Sequence, residues 1–142
     1  MRHDPQLVEQ LIRHEGLRLL PYMDTVGKIT IGVGRNLSDV GVSKAEALIL
    51  LDNDLDLVVA DLASFSFPPT VNAVRRRVLE NMRFNLGPTR FRGFRRFLAA
   101  VADGDFAAAD KSMANSLWAQ QVKGRATELR AMMRTGVDGV AV

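Results

Sequence analysis

Cysteine is absent from the 142 residues. That excludes disulfide bonds, thiolate catalysis and any cysteine-based metal site, and it leaves the fold without a covalent staple. Aromatic residues are scarce at 6%, with one Trp and one Tyr. Histidine occurs only as His3 and His14, too few for a metal site without other spaced ligands, and no metal or other cofactor is expected. No run approaches the roughly 18–20 apolar residues of a membrane span, so membrane insertion is not expected. The opening stretch MRHDPQLVEQLIRHEG carries charges throughout and lacks the uninterrupted apolar segment of a secretory signal.

What is present suits one soluble domain with a core: 47% hydrophobic and 25% charged residues. The net charge of +3 is unevenly spread. Residues 1–62 hold 6 Lys/Arg against 10 Asp/Glu, and residues 63–142 hold 13 against 6. A basic second part points to an anionic partner such as nucleic acid, a membrane surface or a cell-wall polymer.

The outline is α+β and mostly helical. Asp4 is placed to cap a first helix, Pro5 suits its first position, and Leu7, Val8, Leu11 and Ile12 form its apolar stripe. Gly16 is the expected stop, which puts Glu15 in the last turn, the unfavourable end of the helix dipole for an anion. A cation nearby would compensate. RLLPYMDTVGKITIGVG then reads as a small hairpin with Asp24 near its tip. Ile29, Ile31 and Val33 share one face, and Thr30 and Gly32 the other. Pro21 restricts the first strand to a sheet edge. Ser43 and Glu46 form a capping box that opens a long helix to about residue 63, which the FSFPPT stretch ends. Further helices are expected from about Val71 to Leu86, through RFRGFRRFLAAVADG, through DFAAADKSMANSLWAQ, and finally through GRATELRAMMRTG. Trp118 and the methionines Met82, Met113, Met132 and Met133 read as core.

The stretch HEGLRLLPYMDTVGKITIGVG combines an acid at a helix end, a second acid across a hairpin and a hydroxyl in the next strand. Glycosidic cleavage needs such groups. One carboxyl protonates the leaving oxygen, and a carboxylate opposite activates water or stabilises the oxocarbenium-like state. The two acids need different environments, one desolvated and one wet. Spacing alone does not separate this from a solvated Glu, turn chemistry at Asp24 and an ordinary strand Thr.

The ordered string HEGLRLLPYMDTVGKITIGVGRNL closely resembles the phage-type lysozymes, the T-even phage family of glycoside hydrolases. AVRRRVLENMRFNLG (73–87), Gly93-Phe94, SLWAQQ (116–121), GRA (124–126) and RTG (134–136) carry the resemblance along nearly the whole chain. It implies a lysozyme-like fold in one domain: a small β lobe at about 16–43, a linking helix at about 44–63, and a helical lobe at about 64–142 joined by the N-terminal helix 5–15. It implies that Glu15 is the general acid, Asp24 the second carboxylate and Thr30 the holder of the water. An Arg matching Arg125 pairs with the acid in that family, and Phe84 and Tyr22 match supporting or substrate-binding positions. The implied substrate is the β-1,4 bond between N-acetylmuramic acid and N-acetylglucosamine in peptidoglycan, cleaved by a monomer. The implied setting is an endolysin held in the host cytoplasm until a holin releases it to the wall.

This sequence departs from the family pattern in places. Arg35 follows the Gly-x-Gly where T-even members have His, and Asn36 stands at an apolar substrate contact. Phe97 and Ser112 replace two further contacts. Three rivals stand beside the hydrolase. A lytic transglycosylase needs one acid and no water-handling partner, so Asp24 and Thr30 count against it. A non-catalytic wall-binding module would not need the intact Glu-Asp-Thr set. A nucleic-acid binder rests only on the interleaved Arg and Phe of RFRGFRRF, where Phe is expected to pack inward and Arg to face solvent, so no nucleic-acid partner is expected.

Overall fold

The computed structural model describes residues 1–139. Seven helices and one three-stranded antiparallel sheet make up the described residues, an α+β fold dominated by helix. The chain divides into two compact units, Met1–Leu50 and Leu51–Val142, and the division falls within the long helix α2.

The first unit begins with α1 (Pro5–Glu15), capped as expected by Asp4, whose side chain accepts the Gln6 N–H at 3.0 Å. The sheet follows as β1 (Arg18–Met23), β2 (Ile29–Gly32) and β3 (Arg35–Asn36), in the order β1-β2-β3. Pro21 therefore lies on an edge strand, and a bulge between Arg18 and Tyr22 interrupts its ladder. The third strand goes beyond the expected hairpin. It arises because Val33-Gly34 turns the chain back at once, with Gly34 at φ 68°. The strand alternation holds, but the apolar face is not the covered one. Ile29 and Val33 are exposed while Thr30 is buried, because Thr30 lies on the middle strand between its neighbours Tyr22 and Asn36. The α1 stripe is likewise open, with Leu7, Leu11 and Ile12 all exposed. This helix is part of the first unit, where its last residue lies against Gly34.

α2 (Lys44–Leu62) opens with the predicted capping box. Ser43 Oγ accepts the Glu46 N–H at 3.1 Å, and Glu46 Oε1 accepts the Ser43 N–H at 2.8 Å. Glu46 also takes Arg35, with Nη2 at 2.8 Å from Oε2. Arg35, the residue at the family's His position, thus fastens the β3 strand to the start of α2.

The second unit holds the apolar core. Val58 and Leu62 of α2 meet Val78, Leu79 and Met82 of α3 (Ala73–Leu86), Phe91 of α4 (Pro88–Arg92), Phe97 and Val101 of α5 (Arg95–Ala102), Met113 of α6 (Phe106–Ala114), and Trp118, Leu129, Met132 and Met133 of α7 (Leu117–Thr135). Trp118 and all four expected methionines are buried. RFRGFRRFLAAVADG forms parts of two short helices rather than one, because the chain breaks at Gly93, where an added Cβ would stand 3.2 Å from the Arg90 carbonyl oxygen. DFAAADKSMANSLWAQ also splits: Ser116 caps α7 by accepting the Ala119 N–H at 3.1 Å. Phe91 and Phe97 pack inward and the flanking Arg90, Arg92, Arg95 and Arg96 are exposed, as the pattern suggested. Among the described residues no helix is long and apolar enough to cross a membrane.

The Glu46 contacts carry a pH prediction. The Arg35 hydrogen bond, followed by those from Ser43, lowers the Glu46 carboxyl from 4.5 to about 2. A depressed acid contributes stability above its unfolded value and loses it as pH falls through its folded value. The contribution of Glu46 is thus complete above about pH 4.5 and declines towards pH 2. Thermal melts between pH 6 and pH 2 are expected to show a smaller acid-induced fall in Tm for Glu46→Gln than for the unsubstituted protein.

Candidate active site

Glu15 closes α1, and Gly16, at φ 80°, donates its N–H to the Ile12 carbonyl at 2.8 Å. The carboxylate is exposed, and α1 buries none of its side chains. The β2–β3 turn runs beside it: a Cβ on Gly34 would stand 3.1 Å from Glu15 Oε2. The turn backbone passes against the acid only because residue 34 has no side chain.

Asp24 follows β1 and is half-buried. Its Oδ1 accepts two backbone N–H groups, from Val26 at 2.9 Å and Lys28 at 2.8 Å. These bonds fix the carboxylate in an Asx-type turn and leave Oδ2 open. The Asp24 N–H in turn donates to the Lys28 carbonyl at 2.9 Å. Thr30 Oγ1 donates its hydrogen to that same carbonyl at 3.1 Å. One peptide carbonyl therefore ties the acid to the hydroxyl. With its hydrogen engaged, the Thr30 hydroxyl is left as an acceptor, the role a water-holding group needs.

Tyr22 and Asn36 flank Thr30 directly on either side of the ladder, so the three side chains share a face. Arg18 stacks its guanidinium over the Tyr22 ring at 4.2 Å. The structure thus gathers Glu15, Asp24, Thr30 and Tyr22 in the first unit. The sequence reading missed Gly34 and Lys28. The second glycine of Gly-x-Gly is the signal for Gly34. The Asp-Thr-x-Gly turn, whose backbone must satisfy Asp24, is the signal for Lys28.

Phe84 and Arg125 belong to the second unit, where they line one groove of about 370 Å³ with Glu80, Asn81 and others. Arg125 follows the break in α7 at Lys123, where φ is 20° and ψ −87°. A separate groove of about 420 Å³ is lined by Arg96, Ala100, Ala108, Lys111, Ser112 and Asn115. Its lining contains no carboxylate, so it does not offer the acid pair that glycosidic cleavage uses. Phe97 is fully buried, so its ring is core and not a surface contact.

The Phage lysozyme family model matches residues 12–134. The chain is 33% identical to the pre-baseplate central spike protein Gp5 of Enterobacteria phage T4, an alignment covering 92% of this chain and 28% of that protein. It is 32% identical to the SAR-endolysin of Escherichia phage Mu, covering 78% of this chain and 66% of that one. It is 23% identical to probable T4-type lysozyme 1 of Dictyostelium discoideum, covering 86% and 89%. The chain thus spans just over a quarter of the spike protein and about two thirds of the endolysin.

Gly34 and Gly41 provide a matched test of the Glu15 contact. Both adopt positive φ, 68° and 65°, but a Cβ at Gly41 meets nothing within 4 Å. Alanine at either position should cost about 1–2 kcal/mol in backbone strain, read as a fall in Tm. Only Gly34→Ala should also displace the Glu15 carboxylate, which a crystal structure of each variant would reveal.

Proposed function

This chain belongs to the phage lysozyme family, and we propose that it is an endolysin-type lysozyme that hydrolyses the β-1,4 bond between N-acetylmuramic acid and N-acetylglucosamine in peptidoglycan. The observation that carries this reading is the single Lys28 carbonyl shared by the Asp24 amide and the Thr30 hydroxyl. The Val26 and Lys28 N–H groups on Asp24 Oδ1 leave the other carboxylate oxygen open, and the bonded Thr30 hydroxyl is left as an acceptor. Glu15 donates its proton to the leaving glycosidic oxygen. Asp24 and Thr30 orient the water that attacks the anomeric carbon and remove its proton, with inversion. No cofactor enters the reaction. Arg125, Phe84 and Tyr22 are proposed as supporting or substrate-binding residues. The proposed setting is a monomer that stays in the host cytoplasm until a holin opens the route to the wall.

A lytic transglycosylase would cut the same bond and leave an anhydro end without recruiting water. The two groups tied to Lys28 favour hydrolysis. A second setting for the same chemistry, a virion component acting on entry, is favoured by the 33% identity to a phage spike protein. Proteomics of purified particles and of the free lysate separates the two settings.

The deciding assay follows turbidity of chloroform-permeabilised Gram-negative cells. The unsubstituted protein should clear them. Glu15→Gln should lose roughly a hundredfold or more while melting at the same temperature, the scale of a lost general acid. Clearing by Glu15→Gln at the full rate overturns the acid's assignment. Mass spectrometry of the released fragments should find reducing ends; anhydro ends would establish the transglycosylase.

A further inference from the structure

We propose that Asp39 is a positioning residue that holds the Lys28 ammonium away from the open oxygen of Asp24, leaving that carboxylate free to handle water. The inference rests on the reading of Asp24 as the water-handling acid.

Lys28 occupies an awkward place for a cation. Its backbone touches both reactive groups, donating to Asp24 Oδ1 at 2.8 Å and accepting from Thr30 Oγ1 at 3.1 Å. Its side chain is a flexible stem with a mobile ammonium, and Asp24 is the carboxylate bonded to its own N–H. An ammonium on Oδ2 would occupy the oxygen that the water needs and would hold the carboxylate in its charged form, making it a weaker base.

The structure shows the ammonium elsewhere. Lys28 Nζ lies 3.0 Å from Asp39 Oδ1. Asp39 is itself fixed independently of Lys28. Its Oδ2 accepts Asn36 Nδ2 at 3.1 Å, and its N–H donates to Asn36 Oδ1 at 3.0 Å. Asn36 lies opposite Thr30 in the ladder. The same segment grips β2 through Ser38 Oγ, which accepts the Ile29 N–H at 2.9 Å, and through the Leu37 N–H, which donates to the Ile29 carbonyl at 2.7 Å. A carboxylate anchored by Asn36 is thus presented to Lys28 from the side of the sheet away from β1. The ion pair is too exposed to matter much for stability. Its effect is to decide which carboxylate the ammonium occupies.

The test uses the full chain as Asp39→Asn, Lys28→Met and the double variant, assayed for muralytic kcat and KM. Asp39→Asn keeps the Asn36 contacts and removes the charge. It should lower kcat about twofold to fivefold, the scale of one exposed charge contact, with KM within about twofold. The double variant should recover most of that loss, and Lys28→Met alone should lose less than Asp39→Asn. A crystal structure of Asp39→Asn should find Lys28 Nζ at hydrogen-bonding distance from Asp24 Oδ2. A double variant no better than Asp39→Asn, an Asp39→Asn protein with unchanged kcat, or a Lys28→Met protein equally impaired overturns the proposal. Inactivity of the unsubstituted protein would overturn the functional reading instead. The crystallographic arm, which needs no activity, still decides where Asp39 sends the ammonium.

Discussion

The second unit depends on the buried face of α3. Val78, Leu79 and Met82 are wholly withdrawn from solvent, and α2, α5, α6 and α7 contribute to the cluster around them. At roughly 1.5–3 kcal/mol for each large apolar side chain, such burial is the dominant favourable contribution of the second unit. The start of the same helix also finishes α7. Arg75 donates Nε to the Met133 carbonyl at 2.8 Å and Nη2 to the Arg134 carbonyl at 3.0 Å, while Asn72 Nδ2 reaches the Gly136 carbonyl at 2.9 Å. Carbonyls that a helix C-terminus leaves without partners are satisfied by a guanidinium whose face lies over Phe106 at 3.6 Å. Burial lowers the Arg75 pKa from its usual value, and the guanidinium remains charged.

That arrangement changes what the positive charge of the second part means. Five of its arginines have internal tasks. Arg75 closes α7, Arg83 and Arg92 both meet Asp61, and Arg130 and Arg134 both meet Asp110. Asp61 thereby joins α2 to α3 and α4, and Asp110 joins α6 to α7. A charge count reads all these cations as available to an anionic partner. The fold shows that several are the counterions of buried or nearly buried acids, which is the usual condition for burying a carboxylate.

The first unit obeys a different constraint, and this explains what was legible in the sequence. Helix ends were readable because caps are local chemistry: Asp4, the Ser43–Glu46 box and Gly16 act on their own neighbours. The buried Phe and Met positions were readable because periodicity reports a core when a core exists. In residues 1–50 the same rule failed. Thr30 is their one buried residue among those described, and the apolar stripes of α1 and β2 are open. Periodicity identified the faces without saying which was covered. It was equally blind to the β3 strand, two residues long and created by a glycine turn, and to the helix break at Gly93. Glu15, Asp24 and Thr30 emerged as an ordered motif. Their mutual support did not, because it runs through the backbone of Lys28 and the missing side chain of Gly34, neither of which has a periodic pattern.

A site with so little core beneath it must obtain its precision from directional bonds. Apolar packing tolerates small slips, whereas a carboxylate held by two N–H groups at 2.8 and 2.9 Å does not. Asp24 is held by the loop from Thr25 to Lys28 and Thr30 by the carbonyl that Asp24 also uses, while Glu15, at the end of α1, lies against Gly34. The shared carbonyl makes the spacing between acid and hydroxyl a property of the seven residues from Asp24 to Thr30 and not of the whole domain. Sequence change elsewhere in the unit can therefore alter the rim, as at Arg35, without disturbing the pair. That independence accounts for a motif that stays intact while its surroundings depart from the family pattern.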